Sequence, residues 1–173
     1  KIIVTGPQRS GTNICAQMIA HDTGHTFVTA QAVGIANLDM LTTNLKSSVA
    51  SVIHGPAFSR YVHELDVFVV TMLRNVQDIY LSQERIRWYG GEEELARYRD
   101  CPIWKEIQEA FTLEDPDRSV ASVKYYFWHQ YQKQRCAYLE VEYEGLTEHP
   151  LWVPKELRSD FATHQTSLDW KPY

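Results

Sequence analysis

The apolar positions of this chain come in short bounded runs that alternate between strand-like and helix-like spacing. Ile2-Ile3-Val4 is an apolar β-branched run, and after a polar interval Ile14, Cys15, Met18 and Ile19 recur at helical spacing until Asp22-Thr23-Gly24 stops them. Residues 25–29 read as a second short strand. Leu38, Leu41 and Leu45 predict a helix over 37–49, Ser51-Val52-Ile53 a strand, and residues 58–65 a short helix. The strongest strand signal is 67–73. Its apolar character is continuous, as in a parallel strand covered on both faces. A helix follows over 76–88 and ends at Gly90-Gly91. Residues 92–100 read as a solvated helix or loop, 102–111 as a short helix and 113–117 as a turn. Ser119 is placed as the N-cap of a long helix over 120–135, and 137–141 is the last strand. Alternating strands and helices predict an α/β fold, a single-domain three-layer sandwich over 1–173 with a mostly parallel central sheet.

The first of these junctions carries the chemistry. Gly6-Pro7-Gln8-Arg9-Ser10-Gly11-Thr12-Asn13 stands between a strand and a helix, where loop amides and the first N–H groups of the helix converge on an anion. Gly6 and Gly11 have the spacing of G-x-x-x-x-G-K-[ST], but Thr12 and Asn13 occupy the places of its lysine and its magnesium-binding hydroxyl. The loop's one cation, Arg9, precedes the second glycine. A phosphate-like ligand suits such a loop; the γ-phosphate and magnesium of a nucleoside triphosphate suit it poorly.

Composition narrows the partners. A net charge of −5 excludes a general nucleic-acid binder, so any anion site has to be a local concentration of arginine and backbone N–H groups. No run is long and apolar enough to span a membrane. Cys15, Cys101 and Cys136 fit neither a zinc pattern nor a disulfide framework, which favours a reducing compartment and a cytoplasmic location. Cys15 reads as a small buried hydrophobe. His21 and His25 are separated by Gly24 with no third ligand nearby in sequence, so no metal site is expected. The aromatic cluster Tyr125, Tyr126, Phe127, Trp128 and Tyr131 reads as core rather than as a stacking platform.

Three segments in series resemble the sulfotransferase family. Arg9-Ser10-Gly11-Thr12 resembles the loop that holds the donor's 5'-phosphosulfate. Leu73-Arg74-Asn75-Val76-Gln77-Asp78-Ile79-Tyr80-Leu81-Ser82 resembles the strand end and helix whose Arg and Ser hold the 3'-phosphate, with Val76 where the family usually has proline. His54-Gly55-Pro56 resembles the His-x-Pro whose histidine is the general base, although other branches use a glutamate. Tyr143-Glu144-Gly145-Leu146 is similar to a Tyr-Glu-Asp-Leu after a late strand, and Asp169-Trp170-Lys171 to a segment near the end of cytosolic members. The Arg-Lys-Gly that clamps the 3'-phosphate there has no counterpart in 161–168.

The resemblance implies a P-loop NTPase-like fold and transfer of a sulfuryl group from 3'-phosphoadenylyl sulfate (PAPS) to a hydroxyl or amine, leaving adenosine 3',5'-bisphosphate (PAP). It implies that Gly6, Arg9, Ser10, Gly11, Thr12 and Asn13 hold the donor, that Arg74 and Ser82 select its 3'-phosphate, and that Arg9 and His54 are catalytic with no metal. The acceptor is a small molecule, a carbohydrate or a peptide. Two alternatives stay open: a divergent P-loop kinase or nucleotide hydrolase, and a non-catalytic domain of the same fold that binds a nucleotide or a partner.

Overall fold

The computed structural model describes residues 1–29, 45–46, 49–56, 59–152 and 154. Among these residues, five strands, β1 (Ile2–Thr5), β2 (Thr26–Thr29), β3 (Ser51–His54), β4 (Phe68–Leu73) and β5 (Tyr138–Glu142), form one sheet in the order β2-β3-β1-β4-β5. Every pairing is parallel. Helix α1 (Thr12–Thr23) follows β1, and α2 (Val76–Arg85) follows β4. The shorter α3 (Gly91–Ala96) and α4 (Trp104–Ala110) and then α5 (Pro116–Phe127) lead to β5.

Both faces of the sheet are covered, which is why β4 reads as a nearly continuous apolar run, interrupted only by the buried Thr71. Val4, Val52, Val70 and Met72 pack against Cys15, Ala16, Met18 and Ala20 of α1 and against Leu146. Ile3, Ile53 and Val69, one position out of phase, pack with Val62 and Trp128 on the opposite face. Each such side chain contributes about 1.5–3 kcal/mol by leaving water. A third cluster, with Leu95, Tyr98, Ile107, Val120, Val123 and Phe127, fastens α3 and α4 to α5. Cys15 belongs to the α1 layer, and burial pushes its thiol up to about 12.

The helix expected over 120–135 begins earlier and changes character. Asp115, not Ser119, is the N-cap: its side chain accepts from the Arg118 N–H, and Pro116 takes the first helical position. Ser119 lies inside the first turn, donating its hydroxyl to the Asp115 carbonyl at 2.7 Å. Past Phe127 the helix widens into a π-helical turn, Trp128–Gln132. The helix after β4 stops at Arg85 rather than at Trp88. Asn75 is its N-cap, with Oδ1 accepting from the Gln77 and Asp78 N–H groups. Of the short helix expected over 58–65, the structure describes a single 3-10 turn, Val62–Glu64. The helix expected over 37–49 lies almost wholly outside the described residues, as do 161–168 and Asp169-Trp170-Lys171.

Strand order sets the location of the site. From β1 the chain leaves toward β3 and β2, and from β4 it leaves toward β5. Between those two strands the connections diverge, which marks the carboxyl-end position where ligands of open α/β sheets gather.

Candidate functional site

Two neighbouring strand ends, those of β4 and β3, contact the segment that follows β1. The loop after β1 is bent by positive φ angles at Gly6 (133°), Arg9 (76°) and Gly11 (99°). A side chain on Gly11 would meet the Tyr143 ring at 2.5 Å, so glycine is required there by space as well as by conformation. Among the described residues, no side chain caps α1, so none of them occupies the N–H groups of its first turn from the cap position.

Arg9, in its left-handed conformation, has partners at the end of β4 and in α2. Its Nε donates to Ser82 Oγ at 3.2 Å, and its carbonyl accepts from Arg74 Nη1 at 2.8 Å. The residue before it is held by the residue after Ser82: Gln83 Nε2 donates to the Gln8 carbonyl at 3.1 Å. Consecutive residues of α2 therefore grip consecutive residues of the loop. The Arg74 guanidinium also lies over the Tyr143 ring, 4.1 Å from its centroid, and its Nε is buried without a hydrogen-bond partner among the described residues. Tyr125 steadies the same strand end by donating to the Met72 carbonyl at 3.1 Å and accepting from the Arg74 N–H at 3.0 Å.

The third strand end brings in His54. Its Nε2 lies 3.0 Å from Thr12 Oγ1, at the start of α1. Burial lowers its pKa to about 4, so the imidazole is neutral at physiological pH. The Gly55 N–H donates to the Val4 carbonyl and its own carbonyl accepts from Thr5 Oγ1, which ties the two strand ends together.

The loop after β1 thus joins Arg9 to Arg74 and Ser82, and the first residue of α1, Thr12, meets His54. Ser10 and Asn13 differ. Ser10 is fully buried and its hydroxyl donates to the Pro7 carbonyl at 2.7 Å, closing the loop from within. Asn13 accepts from Gln17 Nε2, one helical turn on. Gln8 and Gln83 are additions that sequence reading missed, while Tyr125, read as core, and Tyr143, read as part of the segment 143–146, turn out to contact the end of β4 and Arg74. Beside Arg74, an open cleft of about 300 Å³ is lined by Leu73, Arg74, Asn75, Glu142 and Glu144, so two carboxylates border the arginine.

On the far end of α1, His21 is joined by Asp22 and His149 rather than by His25. The three ligand-type atoms lie within 4.8 Å of one another. Hydrogen bonding accounts for the arrangement. His149 Nδ1 accepts from the Leu151 N–H, which places the neutral ring's proton on Nε2, where it is donated to the Asp22 carboxylate at 3.2 Å. That nitrogen has no lone pair to offer a metal, and the contact anchors the segment after β5 to α1.

No protein-family model matches the chain, and no curated protein matches it at a significant level. Among the described residues, no helix is long and apolar enough to cross a membrane.

Proposed function

We propose that the protein is a sulfotransferase of P-loop-like fold, moving the sulfuryl group of 3'-phosphoadenylyl sulfate to a hydroxyl or amine of an acceptor. The observation that carries this reading is the single cluster made by Arg9, Ser82 and Arg74 at the point where strand order diverges. The acceptor's lone pair forms a bond to sulfur as the bridging S–O bond breaks, and the electron pair of that bond leaves on adenosine 3',5'-bisphosphate. Arg9 meets the charge growing on the bridging oxygen, an interaction stronger in the transition state than before it. Backbone N–H groups of residues 11–13 bind the 5'-phosphate, while Arg74 and Ser82 bind the 3'-phosphate.

His54 takes the acceptor's proton. With the ring proton on Nδ1, the Nε2 lone pair faces the Thr12 hydroxyl, which donates to it and is displaced by the acceptor.

A second reading, a nucleotide- or partner-binding domain without turnover, is favoured by how many site groups are engaged internally. Ser10 bonds Pro7, Arg74 bonds the Arg9 carbonyl, and His54 faces Thr12. The kinase reading draws no such support, because Thr12 and Asn13 stand where the lysine and the magnesium ligand belong.

Calorimetric titration with adenosine 3',5'-bisphosphate, against 5'-AMP and Mg-ATP, separates the three. Preference for the bisphosphate, lost in Arg74→Ala, supports a donor site, and sulfuryl transfer to any acceptor then separates enzyme from binder. Preference for Mg-ATP overturns the sulfotransferase reading.

A further inference from the structure

Lys124 stands where an apolar residue is expected. On α5 it shares the buried face with Val120, Ala121, Val123 and Phe127, and its side chain is 1% exposed. The ammonium has three N–H groups and three acceptors. Nζ lies 2.5 Å from Glu94 Oε2, donates to Gln8 Oε1 at 2.8 Å and reaches the Pro56 carbonyl at 3.5 Å. The first partner belongs to α3, whereas the other two belong to the loop after β1 and the loop after β3.

A buried ion pair is a poor source of stability, since desolvating both ions offsets most of their attraction and apolar side chains of similar volume serve as well. What an apolar residue could not do is hold two loops at once. Gln8 is gripped at both ends, its side-chain oxygen by Lys124 and its carbonyl by Gln83, directly before the left-handed Arg9. Pro56 stands two residues after His54.

We propose that Lys124 is a positioning residue: one buried ammonium fixes the loop after β1 to the loop after β3 and so sets where Arg9 stands relative to His54. Its importance for donor binding rests on the sulfotransferase reading; the mechanical linkage does not.

The test uses the full chain and two variants, with hydrogen exchange followed segment by segment and affinity for adenosine 3',5'-bisphosphate measured by calorimetry. Lys124→Met is expected to speed exchange in both 5–12 and 54–56 while β4 stays protected, and to weaken bisphosphate binding on the order of 10-fold, as misplacement of a supporting contact does. Gln8→Leu, which keeps the Lys124–Glu94 pair, is expected to loosen the first loop alone. Unchanged exchange in the two loops of Lys124→Met, or an equal rise everywhere including β4, overturns the proposal. If Lys124→Met does not fold, Gln8→Leu decides: faster exchange over 5–12 supports the linkage, and unchanged exchange overturns it. If the wild-type chain does not bind the bisphosphate, the sulfotransferase reading falls, and the exchange pattern still decides the linkage.

Discussion

Arg74 donates from Nη1 to the main-chain oxygen of Arg9 at 2.8 Å, so the end of β4 braces the loop that leaves β1. The guanidinium is also stacked on Tyr143. Arg74→Ala should therefore cost stability as well as binding. A hydrogen bond from a charged donor is worth about 1.5–3 kcal/mol, read as a lower urea midpoint with an unchanged slope. Arg74→Lys should recover only part of this, because an ammonium can reach one acceptor but cannot lie flat on the ring.

Gly11 is constrained twice, by its φ of 99° and by the Tyr143 ring. Gly11→Ala is expected to destabilise the protein by more than about 1 kcal/mol, since a Cβ is unfavourable at positive φ even without a clash. Adding Tyr143→Ala should relieve the contact but not the backbone strain. Denaturant unfolding of the single and double variants checks this; full recovery in the double variant would mean that the clash alone matters.

Arg9→Ala separates binding from chemistry. If Arg9 acts on charge that develops only as the S–O bond breaks, turnover falls by about 10²-fold or more while KM for the donor changes little. The measurement is steady-state sulfuryl transfer with the donor varied. Equal turnover in the variant would remove Arg9 from the mechanism.

Sequence legibility follows how local each signal is. The loop after β1 and the strand β4 are readable because glycine spacing and a dense apolar run act within a dozen residues. Asp115-Pro116 is a stronger helix start than Ser119, since proline presets φ for the first turn and the aspartate caps it. Lys124 shows in sequence as one charge on the apolar stripe of Val120, Val123 and Phe127, but its partners Gln8, Pro56 and Glu94 come from three distant segments. Tyr143 stands in the segment 143–146 that the sequence singles out, but its place over Gly11, like that of His149 on Asp22, is a product of the fold.

Glu142 and Glu144 border the cleft in which Arg74 lies. A 3'-phosphate held by Arg74 would meet these carboxylates as like charges, so Glu144→Gln should tighten bisphosphate binding. Exposed charge interactions of this kind correspond to up to about 5-fold in affinity, shrinking as salt is raised. Titrations at low and high ionic strength read both effects. Weaker binding in the variant would show that the Glu144 carboxylate accepts a hydrogen bond from the ligand instead of repelling it.

His54 sets a pH window. Burial lowers its folded pKa from 6.5 to about 4, so between those values the unfolded chain binds the proton that the folded one refuses. Stability from this group is full above pH 6.5 and falls as pH drops toward 4, by on the order of 3 kcal/mol over the whole window. Burial also lowers the pKa of His63 and His129, so they contribute in the same direction, and the share of His54 has to be read as a difference. Urea midpoints of the wild type and of His54→Asn at pH 7.5 and pH 5.0 supply it. The wild type should lose more stability on acidification than the variant does. Equal losses would mean that His54 is hydrated and titrates normally, and the same result would withdraw it as a neutral base beside Thr12.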